Sequence, residues 1–111
     1  MDSILTSTKK LLGIAEDYEH FDMDIVVHIN TAFMVLNQLG VGPAEGFAIA
    51  DKNDTWDEYI SDPVKLQAVK SYLPLKVGLL FDPPTSSAVK EAKEKCISEL
   101  EWRLNVAAES K

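Results

Sequence analysis

Ile25-Val26-Val27-His28-Ile29-Asn30-Thr31-Ala32-Phe33-Met34-Val35-Leu36-Asn37-Gln38-Leu39-Gly40-Val41-Gly42-Pro43-Ala44 runs without one Asp, Glu, Lys or Arg, in a chain of which 26% is charged. At about 100° per residue, Ile25, Ile29, Ala32, Leu36 and Leu39 make one continuous helical stripe, with Phe33 and Val35 on its flanks. Gly40 is the natural residue to end this helix, because it takes a left-handed conformation without strain. The side opposite the stripe holds Met23, Val27 and Met34 among Asn30, Thr31, Asn37 and Gln38. It is uncharged after Asp24, yet too polar for lipid, since a spanning helix wants roughly 20 predominantly apolar residues. A water-soluble helix with no charged face is usually covered on all sides. In a chain of 111 residues, part of that cover is expected from another copy or another protein. The expectation is assembly rather than catalysis.

The flanking sequence predicts an all-α fold: a small bundle of about four helices, with one long loop between the second and third main helices, in a single domain over residues 1–111. The first helix starts from Asp2 or Ser3 as cap and places Ile4, Leu5, Thr8, Leu11, Leu12 and Ala15 on one side, with Gly13 able to end it. An acidic connector, residues 16–20, leads to Asp22 as N-cap of the second helix, where Phe21 and Val26 are spaced for a hydrophobic staple. Residues 41–55 form the long connection, in which Phe47-Ala48-Ile49 is a candidate extended segment. Thr55-Trp56-Asp57-Glu58 reads as a capping box opening a turn or two of helix.

Asp62 and Pro63 open the third main helix, Pro at the first position costing no hydrogen bond. It carries two apolar faces: Leu66, Val69, Leu73, Val77 and Leu80 on one side, Ala68, Tyr72, Leu75 and Leu79 on roughly the other. Pro74 removes a mid-helix donor and predicts a kink. Asp82-Pro83-Pro84 stops the helix, and Thr85, Ser86 or Ser87 caps the last one. There Val89, Ala92, Cys96, Leu100, Leu104 and Ala107 are the expected buried line, supported by i,i+4 pairs Glu91–Lys95 and Glu99–Arg103. Trp102 and Val106 fall off that line. The candidate interface residues are therefore Met23, Val27, Met34, Phe47, Trp56, Tyr72, Leu75, Leu79, Trp102 and Val106.

Eleven basic against eighteen acidic side chains give a net charge of −7. Duplex binding draws on Lys and Arg neutralising phosphates, so this balance speaks against a DNA-gripping protein, though not against one that surrounds DNA without holding it. Cys96 is alone, which removes any intramolecular disulfide, and a small buried hydrophobe is its expected role. Met1-Asp2-Ser3 leads straight into a helical pattern with no apolar signal segment, so a reducing cytoplasm is the expected place of folding.

Motifs for chemistry are missing: there is no G-x-S-x-G, phosphate loop, G-x-G-x-x-G, H-E-x-x-H or C-x-x-C. His28 sits at the edge of the apolar stripe without a second ligand at helical spacing, and His20 lies in the acidic connector. Residues 51–62 place oxygen ligands at positions one, three, five and seven of a twelve-residue calcium loop. Trp56 stands where the turn glycine should be and Asp62 where a bidentate Glu should be. Caps and turn formers explain these residues better. No enzyme activity, cofactor or metal is expected.

Three segments carry a family likeness: residues 5–14, residues 28–42 and residues 72–84, with Glu99-Leu100-Glu101-Trp102-Arg103-Leu104-Asn105 near the end. In the same order and over nearly the whole length, the chain resembles the small head–tail connector proteins of long-tailed bacteriophages and prophages. The resemblance implies an all-helical adaptor that binds the portal after genome packaging, assembled in the bacterial host cytoplasm and resident at the virion's head–tail junction. It implies a homo-oligomeric ring matching the portal's twelvefold symmetry, a surface for the stopper or tail-completion protein, and DNA passing through the lumen without specific binding. No membrane partner is implied. An acidic lumen would repel phosphates and let DNA slide, and Glu94 and Glu101 are the candidate lumen-facing acids. The alternative is a small dimeric binding module, a prophage regulatory or host-interaction protein using the same apolar faces.

Overall fold

A computed structural model describes residues 2–109. Its helices are α1 (Ile4–Leu11), α2 (Asp22–Gln38), α3 (Trp56–Tyr59), α4 (Pro63–Phe81) and α5 (Ser87–Glu109), with no strand among the described residues. The all-α bundle expected from the sequence is what forms, with α3 as the short turn before the third main helix. α4 is central. Val69, Leu73 and Val77 on it are fully buried, and its end residue Phe81 stacks edge-on against Phe21 at 5.3 Å beside the start of α2. Tyr72, on another side of α4, donates its hydroxyl to Glu101 of α5 at 2.7 Å. α2 and α5 thus pack on separate faces of α4, as the two-sided pattern of that helix requires.

The second helix buries Ile25, Ile29, Ala32 and Leu36 of the stripe read from its periodicity and Phe33 from its flank, while Leu39, the last of that stripe, is the C-cap and half-buried. Its start departs from expectation. Asp22 is the first helical residue rather than the cap, and Phe21 precedes it without a side-chain capping bond. The carboxylate is drawn elsewhere: Asp22 Oδ1 stands 2.8 Å from the ammonium of Lys9, which is only 2% exposed. α1 is capped by Ser3, whose hydroxyl accepts from the Thr6 amide at 3.2 Å. Leu11 and Ala15, expected inside, are exposed. The helix ends at Leu11, so Ala15 no longer follows its periodicity, and Leu11 stays on the stripe with no neighbour above it.

Residues 41–55 are tied down along α2. Asn30 makes a two-way bond with the backbone of Ile49, donating to its carbonyl at 3.0 Å and accepting its amide at 2.8 Å. Asn37 donates to the Pro43 carbonyl at 3.1 Å. Gly42, at φ +90°, lies under the Tyr59 ring, where a Cβ would stand 2.6 Å from Cε1; only glycine permits that approach. Phe47-Ala48-Ile49 joins no strand, and Ser3 with Thr55 forms an isolated antiparallel bridge instead. The acids of the calcium-like segment serve the backbone: Asp54 accepts from Ala50 N–H at 2.7 Å, Asp51 from Asn53 N–H at 2.8 Å, and Asp62 caps α4 through Val64 N–H at 2.9 Å. α4 continues through Pro74 to Phe81.

The last helix corrects the sequence reading most. Its buried residues are Ile97 and Leu104, with Leu100 and Ala108 partly covered, while Val89, Ala92, Cys96 and Ala107 are exposed. Leu100 and Leu104 of the expected line are covered, and the buried side is turned from Cys96 toward Ile97, where Glu101 also meets Tyr72. Cys96 is consequently a surface thiol. Of the two expected ion pairs, Arg103 reaches Glu99 at 3.1 Å, on the surface, where it contributes little.

Candidate assembly interface

α2 positions the main exposed apolar feature. The stripe that packs on α4 turns its opposite side to solvent, and with it Met23 at 84%, Val27 at 61% and Met34 at 56% exposure. Met23 and Val27 are one turn apart and so form a ridge along the helix. Thr31 continues it, its hydroxyl returned to the Val27 carbonyl at 3.0 Å. Glu19, Asp22 and Asp51 line a shallow cleft of about 370 Å³ at the foot of this ridge.

α5 positions a second feature. Trp102, 64% exposed, and Val106, 41% exposed, stand one turn apart on the side away from Ile97 and Leu104. Among the described residues, no aromatic neighbour or side-chain hydrogen bond holds the indole, whereas the other tryptophan is held on several sides. Trp56 is 3% exposed and donates its ring N–H to the Ser7 hydroxyl at 2.8 Å.

The remaining candidates divide by burial. Trp56 and Tyr72 belong to the monomer's core, which corrects their reading as interface residues. Phe47 is half-buried in an aromatic cluster, 5.3 Å from Phe33 and 5.1 Å from Tyr59, and serves the fold likewise. The loop that holds it closes on its own chain because Asn30 and Asn37 supply backbone partners. Leu75 and Leu79 are half-covered at the edge of the core. Glu94 is exposed, but Glu101 is engaged inside the protomer, accepting from Tyr72 and standing 3.7 Å from Lys76 Nζ.

Burial, then the bond to Glu101 and its negative charge, push the Tyr72 phenol well above the ordinary tyrosine range. Burial alone raises Tyr59. Both shifts favour the neutral phenol in the fold, so their stabilisation is complete below the unfolded value of about 10 and is lost as pH rises above it. Thermal stability is expected to stay level toward pH 10 and to fall beyond it. Substituting Tyr72→Phe should flatten that fall, as read by scanning calorimetry across pH 8–11.

Among the described residues, no three His, Cys, Asp or Glu side chains are grouped to hold a metal ion. No helix among them is long and apolar enough to cross a membrane. What the geometry defines is a class: a small helical protein whose distinctive surfaces are apolar ridges outside its own core. The model of the phage connector protein family matches residues 4–111, and the chain belongs to that family. In searches of curated proteins and of solved structures, nothing matches the chain.

Proposed function

We propose that residues 1–111 act as one structural, non-catalytic connector domain that docks on the portal after DNA packaging. It forms a ring around the DNA channel at the head–tail junction of the virion and offers the surface on which the stopper or tail attaches. The observation that carries this reading, within a connector family, is the pair of unpartnered apolar ridges, Met23–Val27–Met34 on α2 and Trp102–Val106 on α5. A ring needs two different faces on each copy, because its contacts are heterologous. Exposed Glu94, in a chain of net charge −7, supports a lumen that repels phosphates instead of gripping them.

Native mass spectrometry of the protein, alone and with the portal of its own phage, tests the proposal. A closed multi-copy species, or stoichiometric addition to the portal ring, is expected. A dimer indifferent to the portal would overturn it in favour of a two-fold binding module. Trp102→Ala is expected to weaken ring or portal binding by at least about tenfold, as a central aromatic anchor does. Its unfolding free energy in urea should stay within about 0.5 kcal/mol of the parent, the usual range for a surface change. Loss of folding instead would assign Trp102 to the monomer's own stability.

A further inference from the structure

Charge is divided unevenly along this chain. Residues 1–62 carry twelve carboxylates against three lysines, and residues 63–111 carry six against eight basic side chains. The two parts present different apolar surfaces. The α2 ridge points away from α4 and has mostly acid around it: Glu19, Asp22 and Asp51 together with Lys52 in the cleft below, and exposed Asp24 beside Met23.

Elsewhere on the protomer, α4 turns outward the side that faces away from its Val69–Leu73–Val77 stripe. There Pro74, Leu75 and Gly78 floor an open groove of about 680 Å³, Leu11 forms one wall, and Lys70 and Lys93 stand at the rim. A Cβ at Gly78 would meet Leu12 Cδ2 at 3.2 Å, so the glycine brings α1 close and keeps the floor low. Leu11 lies on the inward stripe of α1 and is still 66% exposed. The groove is amphipathic, with Gln67 and Ser71 beside the apolar floor, and its Leu11 wall is left largely uncovered by the protomer.

We propose that the Met23–Val27 ridge of one copy seats in the Leu11–Leu75–Gly78 groove of the next, with Lys70 and Lys93 facing the acids beside the ridge. The pairing rests on the ring reading above, takes the α2 ridge and this groove as the faces that join copy to copy, and leaves the Trp102–Val106 ridge to the portal or the stopper. Three features point to a second copy as the occupant. Side chains one turn apart form the ridge that packs into a helical groove. The mostly acidic surround of the ridge complements the Lys93 ammonium of the rim, and Lys70, whose ammonium lies 5.6 Å from the Trp56 ring centroid, adds to that positive side. The two faces are different surfaces of the protomer, one on α2 and the other between α1 and α4, so each copy can give its ridge to one neighbour and its groove to the other, and the contact repeats head to tail.

The test uses two exposed-site variants, both checked for helicity by circular dichroism. Val27→Lys puts a cation on the ridge against Lys70 and Lys93, and Leu11→Arg puts a long cation across the groove. Native mass spectrometry of each, alone and with the portal, should show assembly weakened at least about tenfold. A one-to-one mixture should yield a heterodimer and nothing larger, since one intact ridge then meets one intact groove. Wild-type-like assembly by either variant, or a mixture that stays monomeric, would overturn the pairing while leaving a ring made by other faces. A wild-type protein that forms no multi-copy species, alone or on the portal, would instead overturn the ring reading itself.

Discussion

Replacing Trp56 with alanine is expected to cost about 4 kcal/mol of stability, in the range for truncating a fully buried aromatic residue. A small domain has roughly 5–15 kcal/mol in total, so the variant should be partly unfolded near physiological temperature. The size of the effect follows from what the residue joins. Its ring N–H donates to Ser7 of α1, its backbone N–H donates to the Asp2 carbonyl at 3.3 Å, and Lys70 of α4 places its ammonium 5.6 Å from the ring centroid. Truncation therefore opens a cavity, leaves the Ser7 hydroxyl without its donor, and loosens α3 from both α1 and α4.

Urea unfolding would measure the loss. Trp56→Phe keeps part of the packing but removes the N–H and shrinks the ring system by three atoms, so about 2 kcal/mol is expected for it, roughly half the alanine loss. A loss below about 1 kcal/mol for the alanine variant would show that the long loop repacks over the gap. The two tryptophans are thus expected to separate cleanly, Trp56 reporting on folding and Trp102 on assembly.

Neither role was distinguishable in the sequence, and the reason is physical. Periodicity assigns a residue to a side of its helix but not to a neighbour, and Trp56 lies in a helix of a single turn, where period has no meaning. Its Ser7 partner is far away in the chain and follows from tertiary packing alone. The strongly patterned elements were legible. Helix α2 buries all but the last residue of the line its spacing gave, because one unbroken stripe leaves no second solution, and Asp62-Pro63 starts α4 where a cap and a first-position proline require.

α5 was misread in part. Of the expected line Val89, Ala92, Cys96, Leu100, Leu104 and Ala107, Leu104 is buried and Leu100 half-buried, while the covered side is turned toward Ile97 and Ala108 and the other four stay exposed. Tyr72 also bonds Glu101 of α5, a polar contact that hydrophobic spacing does not register. The same blindness concealed Lys9. A lysine in an amphipathic helix reads as solvent-facing, and only the arrangement of acceptors around it in the fold makes burial affordable.

Lys9→Met is accordingly expected to cost about 3 kcal/mol, the low end for removing one partner of a buried charge cluster. The ammonium donates to two carbonyls, of Tyr18 at 2.8 Å and of Glu16 at 3.0 Å, and forms an ion pair with Asp22 Oδ1 at 2.8 Å. Methionine fills similar volume, so the loss is polar. Two carbonyls and a carboxylate would be left without their cation, although Asp22 is 25% exposed and can turn toward water, which is why the high end is not expected. The effect should be local before it is global. Amide exchange in residues 14–21 should accelerate more than in α4, since Lys9 is what fastens that connector to the start of α2. Removing Asp22's charge as well, in Lys9→Met with Asp22→Asn, should recover part of the loss, because the orphaned carboxylate is then gone. If Lys9→Met instead costs under 1 kcal/mol with exchange unchanged, the connector is held by its aromatic contacts, His20 on Phe21 at 4.8 Å and Phe21 on Phe81 at 5.3 Å, and the buried ammonium is a consequence of the fold, not a cause.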